Sequence, residues 1–359
     1  MTSAQHAAET PMSGGSSGGS SAAQPHASVT MRAIVQEAYG SADVLHMAQI
    51  PKPNIAENEV LVRVHAAGLD RGTWHVTRGL PYALRLAFGV RAPKNPVPGL
   101  DHAGTVVAVG AAVTRFAVGD HVFGVGKGSF AEYARASESQ LALKPANISF
   151  EQASVVPVSA CTALQALRTA GQLAPGQKVL ILGASGGVGS YAVQLAKAAG
   201  AEVTGVCSTA KMDLVRSLGA DHVLDYATQD FADGTGRFDL ILDIAGNPTL
   251  ARLRRALTTT GTAVITGGEE GGSWTGSIDR QFRALALSPF IGQRLTMVMG
   301  TQGVADLEYL AGLLDAGTLT PTIDRSYPLE QVPDAMRYFD AGKVRGKIAI
   351  IIIQEAQGH

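Results

Sequence analysis

KVLILGASGGVG, Lys178 to Gly189, is an apolar run that breaks into a glycine-rich turn. The run reads as a buried strand, the glycines as a tight turn, and the amphipathic GVGSYAVQLAKAAG as a helix beginning inside that turn. A bare G-x-G-x-x-G carries little information. This one has a strand before it, a helix opening within it, and a second strand, EVTGVCS, at the distance of a strand-helix-strand unit. Glycines at 186, 187 and 189 let the backbone approach a diphosphate and pack helix against strand, while N–H groups and the positive end of the helix receive negative charge. The predicted pyrophosphate seat is therefore Ser185, Gly186, Gly187, Val188 and Gly189.

The same texture continues outward. KMDLVRSLG, HVLDY, FDLILDIAG, PTLARLRRALT, TAVITGG and RLTMVMG alternate helix and strand, as a parallel doubly wound sheet requires. Before Pro157 the pattern is different. MRAIVQEA, EVLVRVHAAG, HAGTVVAVG, DHVFGVG and SFAEYARA are short β-rich runs punctuated by glycine and proline, as in a small barrel. The last segment, with helices near DLEYLAGLLDAG and QVPDAMRYFDAG and the strand KIAIIII, returns to mixed texture. The expected class is α/β, with a leader over 1–30, the first part of a β-rich catalytic domain over 31–155, a nucleotide domain over 156–300, and a return to the catalytic domain over 301–359.

Composition bounds the function. Of 359 residues 46% are apolar and only 16% charged, and the formal net charge is −1, which gives no footing for nucleic acid or an anionic membrane surface as the main partner. Two cysteines, Cys161 and Cys207, cannot build a disulfide framework and suit a reducing cytoplasm. The leader has no apolar core and no basic start, and its acidic Glu9 and late first arginine, Arg32, make a poor mitochondrial presequence.

An NAD site places an acid at the end of the second strand to hold the ribose hydroxyls. Here VTGVCSTAK puts Cys207, Ser208 and Thr209 at that place, so no carboxylate stands there against a 2′-phosphate. Lys211 adds a point charge and Tyr226 closes the next strand. NADP(H) is the expected cofactor. The alternative is that Ser208 and Thr209 simply cap a helix and Lys211 is solvated.

GQKVLILGASGGVGSYAVQLAK resembles the signature of the zinc-independent quinone oxidoreductases and zeta-crystallin-like proteins of the medium-chain dehydrogenase/reductase superfamily. EVLVRVHAAGLDRGTWHVTRG, PVPGLDHAGTVVAVGAAVTRFAVGDHVFG, SFAEYA, VVPVSACTALQAL and LGADHVLDY stand in the same family order. The resemblance implies a GroES-like catalytic domain, a Rossmann domain, a cleft between them and a homodimer through the Rossmann sheet edges. By that register the catalytic zinc positions of the metal-dependent relatives fall on Asp70, Leu100 and Val158. Leucine and valine offer no lone pair, and no four-cysteine lobe is present, so no metal is expected. His102 with Asp70 or Asp101 is the remaining conceivable ligand pair.

Without a Lewis acid, conjugated acceptors are easier to reduce than isolated ketones, because the developing charge delocalises. His75 is the candidate proton donor, matching a relay histidine or an active-site tyrosine of relatives. Asp70 either orients His75, meets the ribose hydroxyls, or caps the helix RGTWHVTRG. Thr162 falls where the family packs a threonine against nicotinamide. Ile244, Gly246, Thr266 and Gly267 end strands at the carboxyl edge of the sheet, and the resemblance of GKVRGK to a closing segment of some relatives implies that Arg345 brings a base towards the cofactor. Trp74, Tyr82, Leu84, Leu86 and Phe88 would wall a substrate pocket, and the 25-odd residues from GGEEGGSWTGSIDRQF onward would form a lid or dimer element. The expected activity is NADPH-dependent reduction of quinones or α,β-unsaturated carbonyls. The alternatives are an NADP-dependent alcohol dehydrogenase or ketone reductase, and a non-catalytic NADPH-binding adaptor.

Overall fold

The computed structural model describes residues 30–267, 272–276, 278–298 and 300–353. The expected leader, apart from Thr30, and residues 268–271 and 277 of the expected lid lie outside them. β1 (Thr30–Val35) and β2 (His46–Pro51) make an antiparallel ribbon. The chain continues through β3 (Glu59–Leu69), α1 (Arg71–Arg78), a single turn α2 (Arg85–Phe88), β4 (Asp101–Val109), β5 (His121–Val125), β6 (Tyr133–Ser137) and β7 (Leu141–Leu143). Two helices, α3 (Phe150–Ser154) and α4 (Pro157–Gln165), lead out of this part.

Then strand and helix alternate: β8 (Lys178–Leu182), α5 (Gly187–Ala198), β9 (Glu202–Cys207), α6 (Met212–Ser217), β10 (His222–Asp225), β11 (Phe238–Asp243), α7 (Leu250–Ala256), β12 (Leu257–Ile265), α8 (Ile278–Leu287) and β13 (Arg294–Met297). The chain closes with α9 (Val304–Asp315), β14 (Ile323–Pro328), α10 (Val332–Asp340) and β15 (Lys347–Ile351).

β8 to β13 form a six-stranded parallel sheet in the order β10-β9-β8-β11-β12-β13. Such a sheet is covered on both faces, which is why its strands are continuous apolar runs and why Val179, Leu180, Ile181 and Leu182 are all buried. The order reverses between β8 and β11, and the crevice outside the carboxyl ends of those strands is where this architecture binds ligands. The other sheet runs β14-β15-β3-β4-β5-β7, with β6 paired to β3. β15, Lys347 to Ile351, lies parallel to β14 and antiparallel to β3, so the run KIAIIII is an interior strand.

α3 and α4 join the two sheets. Ser149 and Gln152 form a reciprocal capping box at the start of α3, and Pro157 opens α4. Tyr191 of α5 is fully buried and donates to Val155 O at 3.1 Å, pinning the second sheet's first helix to this junction. α9 lays Leu307, Leu310 and Leu314 into the same core as Cys161, Val179 and Tyr191.

Candidate functional site

The glycine loop is built by exclusion. Gly183 has φ of 83°, and a Cβ there would meet Ala245 Cβ at 2.5 Å. A Cβ at Gly189 would stand 2.1 Å from Gly183 O and 2.8 Å from Ala184 Cα, so only glycine lets α5 close onto the end of β8. Gly186 differs: its Cβ would meet nothing nearer than Gly183 O at 3.4 Å, so that side of the loop is open. Gly186 is also the N-cap of α5 and supplies no side-chain cap, which leaves the first-turn N–H groups without intrahelical partners.

The floor of the loop comes from the other sheet. A Cβ at Gly187 would lie 3.0 Å from Lys347 Cδ and 3.3 Å from Ser159 Oγ, and Gly346 N donates to Ser185 O at 2.8 Å. Lys347 Nζ donates to Ser159 Oγ at 2.9 Å and stands 3.6 Å from Asp101 Oδ2. Asp101 Oδ1 accepts from Val158 N at 2.9 Å. Asp101 is fully buried, and burial pushes its carboxyl up to about 8 while the Lys347 ammonium opposes the rise. Both residues stand in stretches singled out from the sequence, GLD and GKVRGK, yet nothing local pairs them.

Asp70 caps α1. Its Oδ1 accepts from Thr73 N at 2.8 Å and its Oδ2 from Thr73 Oγ1 at 3.0 Å, with the residue 3% exposed. The cap, one of its three expected roles, is in place. His75 lies on the same helix, half-buried, with Nδ1 2.7 Å from Leu80 O. The chain beyond Leu80 is held by the segment after β12: Tyr82 N donates to Ser273 O at 2.8 Å, Ala83 N to Trp274 O at 3.1 Å, and the Tyr82 and Trp274 rings meet edge-on at 5.4 Å. The two inserts noticed separately in the sequence thus form one strap beside His75. Trp74 is held elsewhere: its Nε1 donates to Asp340 Oδ1 and its ring packs against the core that buries α10, while its edge still meets the His75 ring at 4.9 Å. Tyr82, Leu86 and Phe88 are exposed on short helical turns. Thr162 Oγ1 donates to Val158 O at 2.7 Å, and a Cβ at Gly300 would come within 2.6 Å of it.

At the end of β9, Ser208, Thr209 and Lys211 form a short helical turn that Arg345 clamps from below. Arg345 donates to Asp213 Oδ2 at 2.6 Å and to Ala210 O at 3.1 Å, and Lys211 Nζ reaches Gly342 O at 2.9 Å and Val344 O at 2.8 Å. Lys211 is therefore engaged with backbone carbonyls as well as being near the turn. Although β9 itself ends without an acid, β10 brings Asp225 into register with Cys207, and Thr209 Oγ1 donates to Asp225 Oδ2. That hydroxyl and the Ala227 N–H hold the Asp225 carboxyl below its usual range. Tyr226 follows, exposed.

At the carboxyl edge, Ile244 N donates to Leu182 O, while Thr266 N and Gly267 N both donate to Asp243 O. Gly246 takes φ of 86° in the loop after β11. A Cβ at Gly267 would strike Ile244 O at 2.6 Å, so the two loops touch. Asp243 and Arg280, neither singled out from the sequence, form a buried ion pair at 2.6 Å between them.

Among the described residues no group of three His, Cys, Asp or Glu is arranged to hold a metal ion. Leu100 lies beside Asp70: a Cβ at Gly72 would be 2.9 Å from Asp70 Oδ1 and 3.9 Å from Leu100 Cδ1. His102 is fully buried with Nδ1 3.3 Å from Leu100 O, and burial holds its ring neutral down to about 4. The donor set does not fit zinc. No helix among the described residues is long and apolar enough to cross a membrane.

Residues 56–146 match the family model for the alcohol dehydrogenase GroES-like domain, and residues 218–350 the model described as zinc-binding dehydrogenase. The chain is 32% identical to a 2-methylene-furan-3-one reductase of Solanum lycopersicum, over 89% of this chain and 79% of that protein. It is 33% identical to a chloroplastic NADPH-dependent alkenal/one oxidoreductase of Arabidopsis thaliana, over the same shares. Its fold superposes on the quinone oxidoreductase of Coxiella burnetii with a TM-score of 0.81, at 27% identity, covering 90% of this chain and 100% of the other.

Proposed function

We propose that this chain, which belongs to the medium-chain dehydrogenase/reductase family of NAD(P)H-dependent oxidoreductases, is an NADPH-dependent, zinc-independent reductase of quinones and α,β-unsaturated carbonyl compounds. The observation that carries the reading is the loop from Gly183 to Gly189. It is open at Gly186, closed at Gly189, and floored by Lys347 and Ser159 where the two sheets meet. A Cβ-free surface of this kind at a helix start fits a diphosphate. Acceptor class follows from the relatives, which are named for quinones, alkenals and alkenones, and from a donor set that gives an isolated ketone no Lewis acid.

Ser185 to Gly189 would hold the pyrophosphate. Ser208, Thr209, Lys211, Tyr226 and Arg345 would surround the adenosine end, and Thr162, Ile244, Gly246, Thr266 and Gly267 the nicotinamide end. When bound, NADPH supplies hydride to the far carbon of the conjugated acceptor. His75 then serves the oxygen. Leu80 O accepts from Nδ1–H and stabilises the protonated ring, so the proton that moves is the one on Nε2. The strap through Ser273 and Trp274 keeps Leu80 and its neighbours in place, and Asp70, by capping α1, fixes the helix that carries His75. The reading includes a cytoplasmic homodimer: Cys161 and Cys207 are buried thiols, and β13 stands at a sheet edge where a second copy would add its own strand.

Purified protein treated with chelator should oxidise NADPH with 9,10-phenanthrenequinone and leave 2-propanol with NADP⁺ untouched. Calorimetry that registers no NADPH uptake, or stoichiometric zinc whose removal abolishes turnover, overturns the reading.

A further inference from the structure

One guanidinium holds the carboxyl edge of the six-stranded sheet together. Arg280, near the start of α8 and 5% exposed, donates from Nη1 to Asp243 Oδ2 at 2.6 Å and to Pro248 O at 2.9 Å, and from Nη2 to Gly267 O at 3.0 Å. These acceptors belong to the end of β11, the loop after it, and the segment after β12. A planar fork with several fixed donors suits joining three chain segments in this way, whereas lysine offers its three donors from one atom on a flexible stem.

Stability alone is a weak reason for such a group. Desolvating two charges offsets most of their attraction, and apolar replacements of similar volume are often as stable. A second feature sets the place apart: Asp243 Oδ1, Arg280 Nε and Thr266 Oγ1 are buried without hydrogen-bond partners among the described residues. Folded proteins leave few polar atoms in that condition. All three belong to residues of this one edge.

The segment that carries Arg280 is also anchored beside α1. Ser273 O and Trp274 O accept from Tyr82 N and Ala83 N, next to the Leu80 carbonyl that holds His75. The chain between β12 and β13 therefore has one foot beside the candidate proton donor and the other, Arg280, between the loops that present Ile244, Gly246, Thr266 and Gly267.

We infer that Arg280 is a positioning residue that sets the nicotinamide side of the dinucleotide seat and couples it to the strap beside His75. The inference rests on the NADPH reading above. Without the guanidinium, the loops after β11 and β12 lose the side-chain bridge that adds to their backbone bonds at Asp243 O, and the buried Asp243 carboxylate is left without the cation it faces.

The test compares the full-length protein with Arg280→Lys, Arg280→Met and the double variant Asp243→Asn/Arg280→Met, which removes the uncompensated charge. The readouts are NADPH affinity by fluorescence titration, thermal midpoint, and hydrogen exchange over residues 278–287 with and without NADPH. Wild type binds NADPH and gains protection in α8. The double variant keeps a midpoint close to wild type, yet binds NADPH at least tenfold more weakly and loses the gain in protection; Arg280→Lys falls between. In an Arg280→Ala protein, millimolar guanidinium restores part of the lost affinity. A folded double variant that binds NADPH within twofold of wild type overturns the inference and leaves the functional reading standing. A wild type that takes up no NADPH removes both.

Discussion

Gly186 and Gly189 lie three residues apart in one loop, and the structure assigns them opposite sensitivities to the same added methyl group. At Gly189 the Cβ would stand 2.1 Å from Gly183 O, 2.8 Å from Ala184 Cα and 2.9 Å from Ala184 C, all of them backbone atoms. An unstrained carbon–oxygen contact is about 3.3 Å. The start of α5 would therefore have to withdraw by about 1 Å from β8. That helix buries Tyr191, Ala192, Val193, Leu195 and Ala196, so the shift is resisted, and overpacking of this kind costs about 1–3 kcal/mol. It also moves the N–H groups of residues 187–189, and a misplacement of about 1 Å can lower a rate about a hundredfold.

At Gly186 the backbone has φ of −86° and the Cβ would meet only Gly183 O, at 3.4 Å. Folding tolerates it, and replacing the glycine N-cap should cost no more than about 1 kcal/mol. The methyl instead stands on the open side of the loop, where the pyrophosphate would lie. Gly186→Ala should weaken NADPH about 10- to 100-fold, or about 1.4–2.8 kcal/mol, with only a small fall in the urea midpoint, whereas Gly189→Ala should lose both. Isothermal titration and urea denaturation of the two variants give the four numbers required. A Gly186→Ala protein that binds NADPH like wild type would refute the placing of the diphosphate at this loop, and a Gly189→Ala protein of unchanged stability would refute the packing argument.

Lys347→Met removes the ammonium that opposes the rise of the buried Asp101 carboxyl, so in urea denaturation it should destabilise more at pH 9 than at pH 7, and adding Asp101→Asn should abolish that difference. His102, neutral in the fold down to about 4 against an ordinary value of 6.5, binds fewer protons folded than unfolded across that interval. The stability it contributes is present above pH 6.5 and is lost as pH falls towards 4, by about 3 kcal/mol. His102→Gln should flatten that part of the stability-against-pH curve, and an unchanged slope would count against the burial argument. Asp225→Asn removes the negative charge that engages Thr209 and should shift preference several-fold further towards NADPH over NADH, read from kcat/KM for the two reduced cofactors.

The parts legible in the sequence are those whose signals are local. Strand β8, the glycine turn and α5 announce themselves within a dozen residues, and the parallel sheet follows from repetition of that unit. α3 and α4 were not read from the sequence: their local signals, Ser149 with Gln152 and Pro157, are present, but their apolar positions follow no clean stripe because both sheets bury them. The acid beside Thr209 was hidden differently. Its strand, β10, is next to β9 in space but separated from it by α6, so the absence of a carboxylate at the end of β9 says nothing about the neighbouring strand end.

The charges under and around the loop were out of reach for a stronger reason. Lys347 and Ser159 are 188 residues apart, and Arg280 and Asp243 are 37 apart, so no period or spacing relates them. What does relate them is the carboxyl edge itself. Strand ends and helix starts leave backbone groups there that the sheet does not satisfy, and loops must pass close enough to meet a dinucleotide. Buried ionic groups are a way to fix such loops without filling the crevice with side chains. Where the two sheets meet at Gly187, Lys347 supplies that support from the catalytic side; at Gly267, Arg280 supplies it from the segment that also reaches Tyr82. Both cations stand behind the backbone that would face the cofactor, which is why sequence reasoning, looking for residues that touch a ligand, passes over them.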